Sequence, residues 1–253
     1  MADIEKRGLL TPEIRRRGIY ILPNLFTTAA LFAGFYAIVQ AMNQRFEQAA
    51  VAIFVAMVLD GLDGRVARMT RTQSAFGAEY DSLSDMVCFG AAPALIMYEW
   101  ALKSLGRLGW IAAFAYCAAA ALRLARFNTN IEVVDKRYFQ GLPSPAAAAL
   151  CAGLIWVIDD FQIERERAEL IVGIACAITL FAGATMVSNL PFYSFKTFNL
   201  RRSVPFWAVL LIVFAMMVVS SNPPMILFLL FVGYGFSGYF LWGWRRWKEP
   251  GKH

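Results

Sequence analysis

Histidine is almost absent from this chain: the single one is His253, the last residue. Chemistry that needs an imidazole base, an imidazole nucleophile or a histidine-ligated zinc is thereby nearly excluded. Cysteine is scarce as well. Cys88, Cys117, Cys151 and Cys176 all fall inside apolar stretches and form no CxxC pair, so they read as small buried hydrophobes rather than metal or disulfide sites. Charge is thin, at 17% of residues, where a soluble domain carries roughly 25%. What fills the chain instead is apolar: 59% of its 253 residues, with a mean hydropathy of +0.52. A soluble core does not need that excess, and it runs the whole length. The class is a polytopic membrane protein. Residues 1–19 hold no apolar stretch, so no cleavable signal peptide is expected.

Windows of about 20 apolar residues mark candidate spans. They fall at 21–42, 47–67, 82–102, 108–127, 144–161, 168–190, 205–220 and 224–243. This predicts an all-α polytopic membrane helix bundle of about eight transmembrane helices. The breaks carry turn chemistry or charge, among them Asn43-Gln44-Arg45, Gly141-Leu142-Pro143-Ser144-Pro145 and Asn222-Pro223-Pro224. The net charge is +6, but the basic residues flank apolar runs, which fits anionic lipid headgroups better than nucleic acid. Arg45, Lys103, Arg107, Arg165 and Arg167 fall on one side of the expected membrane, and every other Lys and Arg falls on the side of the termini. By the positive-inside rule both termini face the cytoplasm. Ile14 to Tyr20 is basic with interspersed apolar residues, which predicts an N-terminal interfacial amphipathic segment. Trp242, Trp244 and Trp247 with Arg245, Arg246 and Lys248 read as an aromatic and basic anchor.

Four aspartates stand out against this background. Asp60 and Asp63 are three apart at the end of the second span, and Asp81 and Asp85 are four apart at the start of the third. Side chains at those spacings share a helix face, and the intervening polar residues let the two helices run antiparallel, so the four carboxylates can converge. Alone, they would repel and take up protons. A divalent cation resolves this, and clustered carboxylate oxygens suit Mg²⁺ or Mn²⁺; four are enough for two ions. Gly64, Ala67 and Gly77 are small and helically spaced, leaving room for close packing or for a ligand, and Arg68 can clasp a phosphate. Together these imply phosphoryl-type chemistry at the cytoplasmic surface. Helix caps and solvated acids explain one such spacing, not the whole constellation. Cation transport is the other reading, since intramembrane carboxylates also mark ion pathways, but nothing comparable sits deep in the other spans.

The run Asp60-Gly61-Leu62-Asp63-Gly64-Arg65-Val66-Ala67-Arg68, followed by Gly77, Asp81 and Asp85, resembles the signature D-x2-D-G-x2-A-R-x8-G-x3-D-x3-D of the CDP-alcohol phosphotransferases and fits every fixed position. Leu22 to Thr27, Leu122 to Asn128 and Phe139 to Ala147 are similar to the bacterial branch that uses serine as acceptor. The resemblance covers residues 20–190, and implies transfer of a phosphatidyl group from CDP-diacylglycerol to L-serine with release of CMP. It implies two divalent ions, Mg²⁺ or Mn²⁺, on Asp60, Asp63, Asp81 and Asp85, with Asp85 also the general base. It places the CDP-lipid on Asn24, Gly64, Ala67, Arg68, Ser74 and Gly77, and serine on Arg123, Arg126 and Asn128. An arginine suits the serine carboxylate, whereas choline would favour an aromatic cage. A homodimer in the bacterial cytoplasmic membrane is implied too. The expected organisation is an interfacial segment at 1–19, a catalytic core at 20–190 and a two-helix C-terminal extension at 191–253. The alternatives are transfer to glycerol 3-phosphate, inositol phosphate or choline, or divalent-cation transport.

Overall fold

A computed structural model describes residues 12–70, 72, 74–129, 138–161, 168–194 and 206–248. Most of the expected interfacial segment, and the basic residues Arg71, Lys136, Arg137, Arg165, Arg167, Lys196, Arg201 and Arg202, lie outside them. The described chain is mostly helical: α1 (Pro12–Met42), α2 (Phe46–Thr70), α3 (Ala75–Asp85), α4 (Ala92–Trp100), α5 (Arg107–Thr129), α6 (Ser144–Asp160), α7 (Ala168–Val187), α8 (Phe206–Ser221) and α9 (Pro223–Lys248). All but α3 fall on the expected apolar stretches; α3 lies mostly ahead of the expected 82–102 span, in the expected polar connection. Among the described residues, four helices are long and apolar enough to cross a membrane: 23–42, 107–129, 169–187 and 223–244. The others fall short for visible reasons. Helices α6 and α8 are shorter, and the second half of α2 carries Asp60, Asp63, Arg65 and Arg68.

Helices α1 and α2 form an antiparallel hairpin about the expected Asn43–Arg45 turn, where Gln44 takes a positive φ of 60° and Arg45 N donates to Gln40 O at 2.9 Å. Alanines at helical spacing, Ala30, Ala33, Ala37 and Ala41, are buried on α1, as are Ala49, Ala52 and Ala56 on α2. Small side chains let the two backbones approach closely. Helix α6 is the centre of the bundle. Ala146 to Ile155 are all buried, as expected of a helix apolar on every side, and α6 packs on α2, α7 and α9.

Two features depart from a plain helical reading. Tyr138–Gln140 (β1) and Pro191–Tyr193 (β2) pair antiparallel, with Phe139 opposite Phe192. They staple the chain entering α6 to the chain leaving α7. Gly141 follows at φ +76°, and a Cβ there would lie 2.2 Å from Met186 O, so only glycine fits. The third column is also interrupted: between α3 and α4 the backbone makes a π-turn over Met86–Ala91. Pro93 has no N–H to give Phe89 O four residues back. That carbonyl instead accepts from the hydroxyl of fully buried Tyr116 on α5, at 3.0 Å. Such turns are frequent next to functional positions, and this one begins immediately after Asp85.

Candidate active site

The site is built where α2 ends and α3 begins. The sequence suggested a broad polar connection between its two aspartate pairs, but α2 runs on to Thr70 and α3 starts at Ala75, so the turn is short. Thr72 N donates to Ala67 O at 3.1 Å, closing α2. Ser74 caps α3 by accepting from Gly77 N at 3.0 Å, which satisfies one of the orphan donors of a helix start. The short turn brings the start of α3 back toward the end of α2, and both helices pack on α1.

Asp60, Asp63 and Asp81 each offer a carboxylate oxygen, and the three lie within 4.8 Å of one another. Asp85 stands beside this trio rather than in it, sharing a hydrogen bond with Asp60. Asp63 is 5% exposed, and its Oδ2 accepts from Thr27 Oγ1 on α1 at 2.7 Å. Ser84 Oγ in turn donates to Thr27 O at 3.3 Å, tying α3 to the same point of α1. Like charges gathered this closely repel, and hard oxygen donors so arranged suit a divalent cation. These residues fit one.

The expected lipid-binding residues divide into two groups. Asn24, Ser74 and Gly77 meet: a Cβ on Gly77 would lie 3.1 Å from Ser74 Oγ and 3.4 Å from Asn24 Oδ1. Gly64 and Arg68 neighbour each other on α2, with a Cβ on Gly64 3.9 Å from Arg68 Nη1. Arg68 is exposed, and its charge reaches Asp63. Ala67 is half-buried between them in sequence.

The expected serine-binding residues, all on α5, bond to different partners. Arg123 is buried, donates from Nη1 to Ser144 Oγ at 2.7 Å, and its charge acts on Asp85. Arg126 reaches the end of α7, donating to Asn189 Oδ1 at 3.2 Å and Ser188 O at 3.4 Å. Asn128 Nδ2 donates to Ser82 Oγ at 2.9 Å, one residue after Asp81. Sequence reasoning missed Thr27, Ser84 and Ser144. Thr27 and Ser144 sit in stretches that carried the resemblance, but hydroxyls among apolar residues give no sign of their partners.

The fold and this donor set define an integral membrane protein with a carboxylate cluster able to hold a hard cation. The chain belongs to the CDP-alcohol phosphatidyltransferase family, whose model matches residues 20–187. A CDP-diacylglycerol–serine O-phosphatidyltransferase of Helicobacter pylori is 38% identical over 179 residues, covering 70% of this chain and 74% of the relative. Enzymes of the same name from Mycobacterium bovis and Methanocaldococcus jannaschii are 40% and 43% identical over 147 and 119 residues. Those matches cover 55% and 47% of this chain, and 51% and 56% of the relatives.

Proposed function

We propose that the protein is a phosphatidylserine synthase, moving the phosphatidyl group of CDP-diacylglycerol to the hydroxyl of L-serine. The observation that carries this reading is the meeting of Asp60, Asp63 and Asp81 within 4.8 Å, with Asp85 and Arg123 alongside. Family membership supplies the reaction class, and the relatives' names supply the acceptor.

Asp60, Asp63 and Asp81 would hold a divalent cation, Mg²⁺ or Mn²⁺, and Asp85 completes a set large enough for two. Bound there, the cation would draw off negative charge as the pyrophosphate breaks. Asn24, Ser74 and Gly77 on one side, and Gly64, Ala67 and Arg68 on the other, bracket the CDP-lipid. Arg123 takes the serine carboxylate, with Arg126 and Asn128 at the same end of α5. Asp85 accepts the proton of the serine hydroxyl as that oxygen forms a bond to the lipid-side phosphorus. The bond from that phosphorus to CMP breaks, and CMP leaves with its electron pair. A single displacement is favoured over a covalent enzyme intermediate, because no Cys or His nucleophile is at hand: the one histidine is His253, and the cysteines lie in apolar stretches.

The wider reading has eight spans, both termini and the site on the cytoplasmic face, and residues 20–190 as the catalytic core. The charge distribution supports the orientation; the homodimer rests on the family resemblance. The C-terminal extension is not a loose appendage, because α9 packs along α6 and against β2. The test is CMP release by purified protein from CDP-diacylglycerol with Mg²⁺ or Mn²⁺ and a panel of labelled alcohols. Release with L-serine is the expected result. Release only with another alcohol would overturn the acceptor, and none with any alcohol would return the case to cation transport.

A further inference from the structure

Arg123 is 9% exposed, and among the described residues its one hydrogen bond runs from Nη1 to Ser144 Oγ. Its buried Nε has no partner. A guanidinium presents Nε–H and one N–H of Nη2 as parallel donors along a single edge, and that edge matches a carboxylate in bidentate fashion. A buried charged donor left unpaired is costly. Asp85 lies close enough for the charge to act on it, but the hydrogen bond of Asp85 goes to Asp60. No described residue takes this edge, which leaves it open to a bound carboxylate.

Ser144 is fully buried, and its place is over-determined. It opens α6 shortly after the β1–β2 staple, where Gly141 N donates to Leu190 O at 2.9 Å and Leu142 N to Thr185 O at 3.1 Å. Arg126 and Asn128, by contrast, brace α5 against the end of α7 and against Ser82.

We propose that Ser144 is a positioning residue for acceptor selection: by taking Nη1 it holds Arg123 with its Nε–Nη2 edge open to the carboxylate of the acceptor alcohol. The inference rests on the phosphatidyl-transfer reading above, in which Arg123 takes the acceptor's carboxylate, and adds the residue that sets the pose of Arg123 for it. An alcohol without a carboxylate would leave the edge unpaired, and sites built to bond a group discriminate strongly against analogues that lack it.

The test uses the full chain with CDP-diacylglycerol, a saturating divalent cation, and either L-serine or L-serinamide, which has an amide in place of the carboxylate. Ser144→Ala should raise the KM for L-serine about tenfold and cut the preference for L-serine over L-serinamide by about the same factor. The kcat should change less than about twofold, since the contact is made in ground and transition states alike. The KM for CDP-diacylglycerol should hold, and Ser144→Thr, which keeps the hydroxyl, should recover the preference. Should Ser144→Ala fail to accumulate, Ser144→Cys offers a similar volume with a much weaker acceptor and takes the same measurements. An unchanged preference, a loss of kcat equal for both acceptors, or a threonine variant no better than alanine would overturn the role. A wild-type protein that releases no CMP with L-serine would instead remove the reading beneath it.

Discussion

Thr27 on α1 donates to Asp63 on α2 at 2.7 Å, so a buried carboxylate of the site is oriented by a hydroxyl 36 residues earlier in the chain. Thr27 Oγ1 also lies 3.2 Å from Pro23 O, and its own carbonyl accepts from Ser84. One residue of α1 thus joins both helices that bring the aspartates together. Groups that orient a metal's ligands are typically worth about 10–100-fold in metal affinity.

Thr27→Val keeps the shape and removes the hydroxyl. The Mn²⁺ concentration for half-maximal CMP release should rise about tenfold or more, with maximal turnover at saturating Mn²⁺ far less affected. A titration of activity against Mn²⁺ checks this. An unchanged midpoint would make the contact incidental.

Asp85→Asn should abolish turnover while leaving CDP-diacylglycerol binding largely intact. General-base catalysis contributes about 10²–10⁴-fold, and asparagine cannot take the serine proton. CMP release read beside direct binding of the CDP-lipid separates the two effects. Near-normal release by the variant would move the base elsewhere.

Chelating divalent cations should stop turnover and also lower the unfolding temperature in detergent. The carboxylates within 4.8 Å of one another are left to repel, and a ligand that binds the folded state stabilises it by mass action. Adding Mg²⁺ or Mn²⁺ back should restore both readouts together. Thermal unfolding with and without chelator is the measurement. A chain indifferent to chelation in both would not hold its cation at the aspartates.

Gly34→Ala should destabilise the bundle by about 1–3 kcal/mol, the usual cost of overpacking. A Cβ on Gly34 would lie 2.7 Å from Cys88 Sγ and 2.9 Å from Cys88 Cα. Shortening the neighbour through Cys88→Ala removes the first clash and leaves the second, so the double variant should recover only part of the loss. Because Cys88 belongs to the π-turn next to Asp85, activity should fall with stability. Unfolding temperatures of the two single variants and the double variant, read beside CMP release, test it.

Much of the architecture was legible without coordinates. Apart from α3, which occupies the segment expected as a connection, the helices lie on the expected apolar stretches, and the Asn43–Arg45 turn stands where turn chemistry and charge placed it. The three- and four-residue spacings correctly put Asp60 with Asp63 and brought Asp81 to them. Other features were out of reach. The π-turn depends on Tyr116 being present to take the carbonyl that Pro93 frees, and no local pattern records that. The β1–β2 staple joins two three-residue strands about fifty positions apart, too short for any periodicity to register.

The sequence by itself determined the solvent, the helices and the chemistry of the site. Hydrophobicity selects a bilayer, and backbone groups in a bilayer must bond within helices. Carboxylates at helical spacing can do little but share a face. The tertiary structure decided which groups serve the aspartates and arginines. It placed Thr27 beneath Asp63, set Asp85 on Asp60, and separated Arg123 on Ser144 from Arg126 on Asn189. These are contacts between helix faces, fixed by how α1, α2, α3, α5 and α6 pack. A hydroxyl in an apolar run looks the same whether it meets a carboxylate, a guanidinium or lipid.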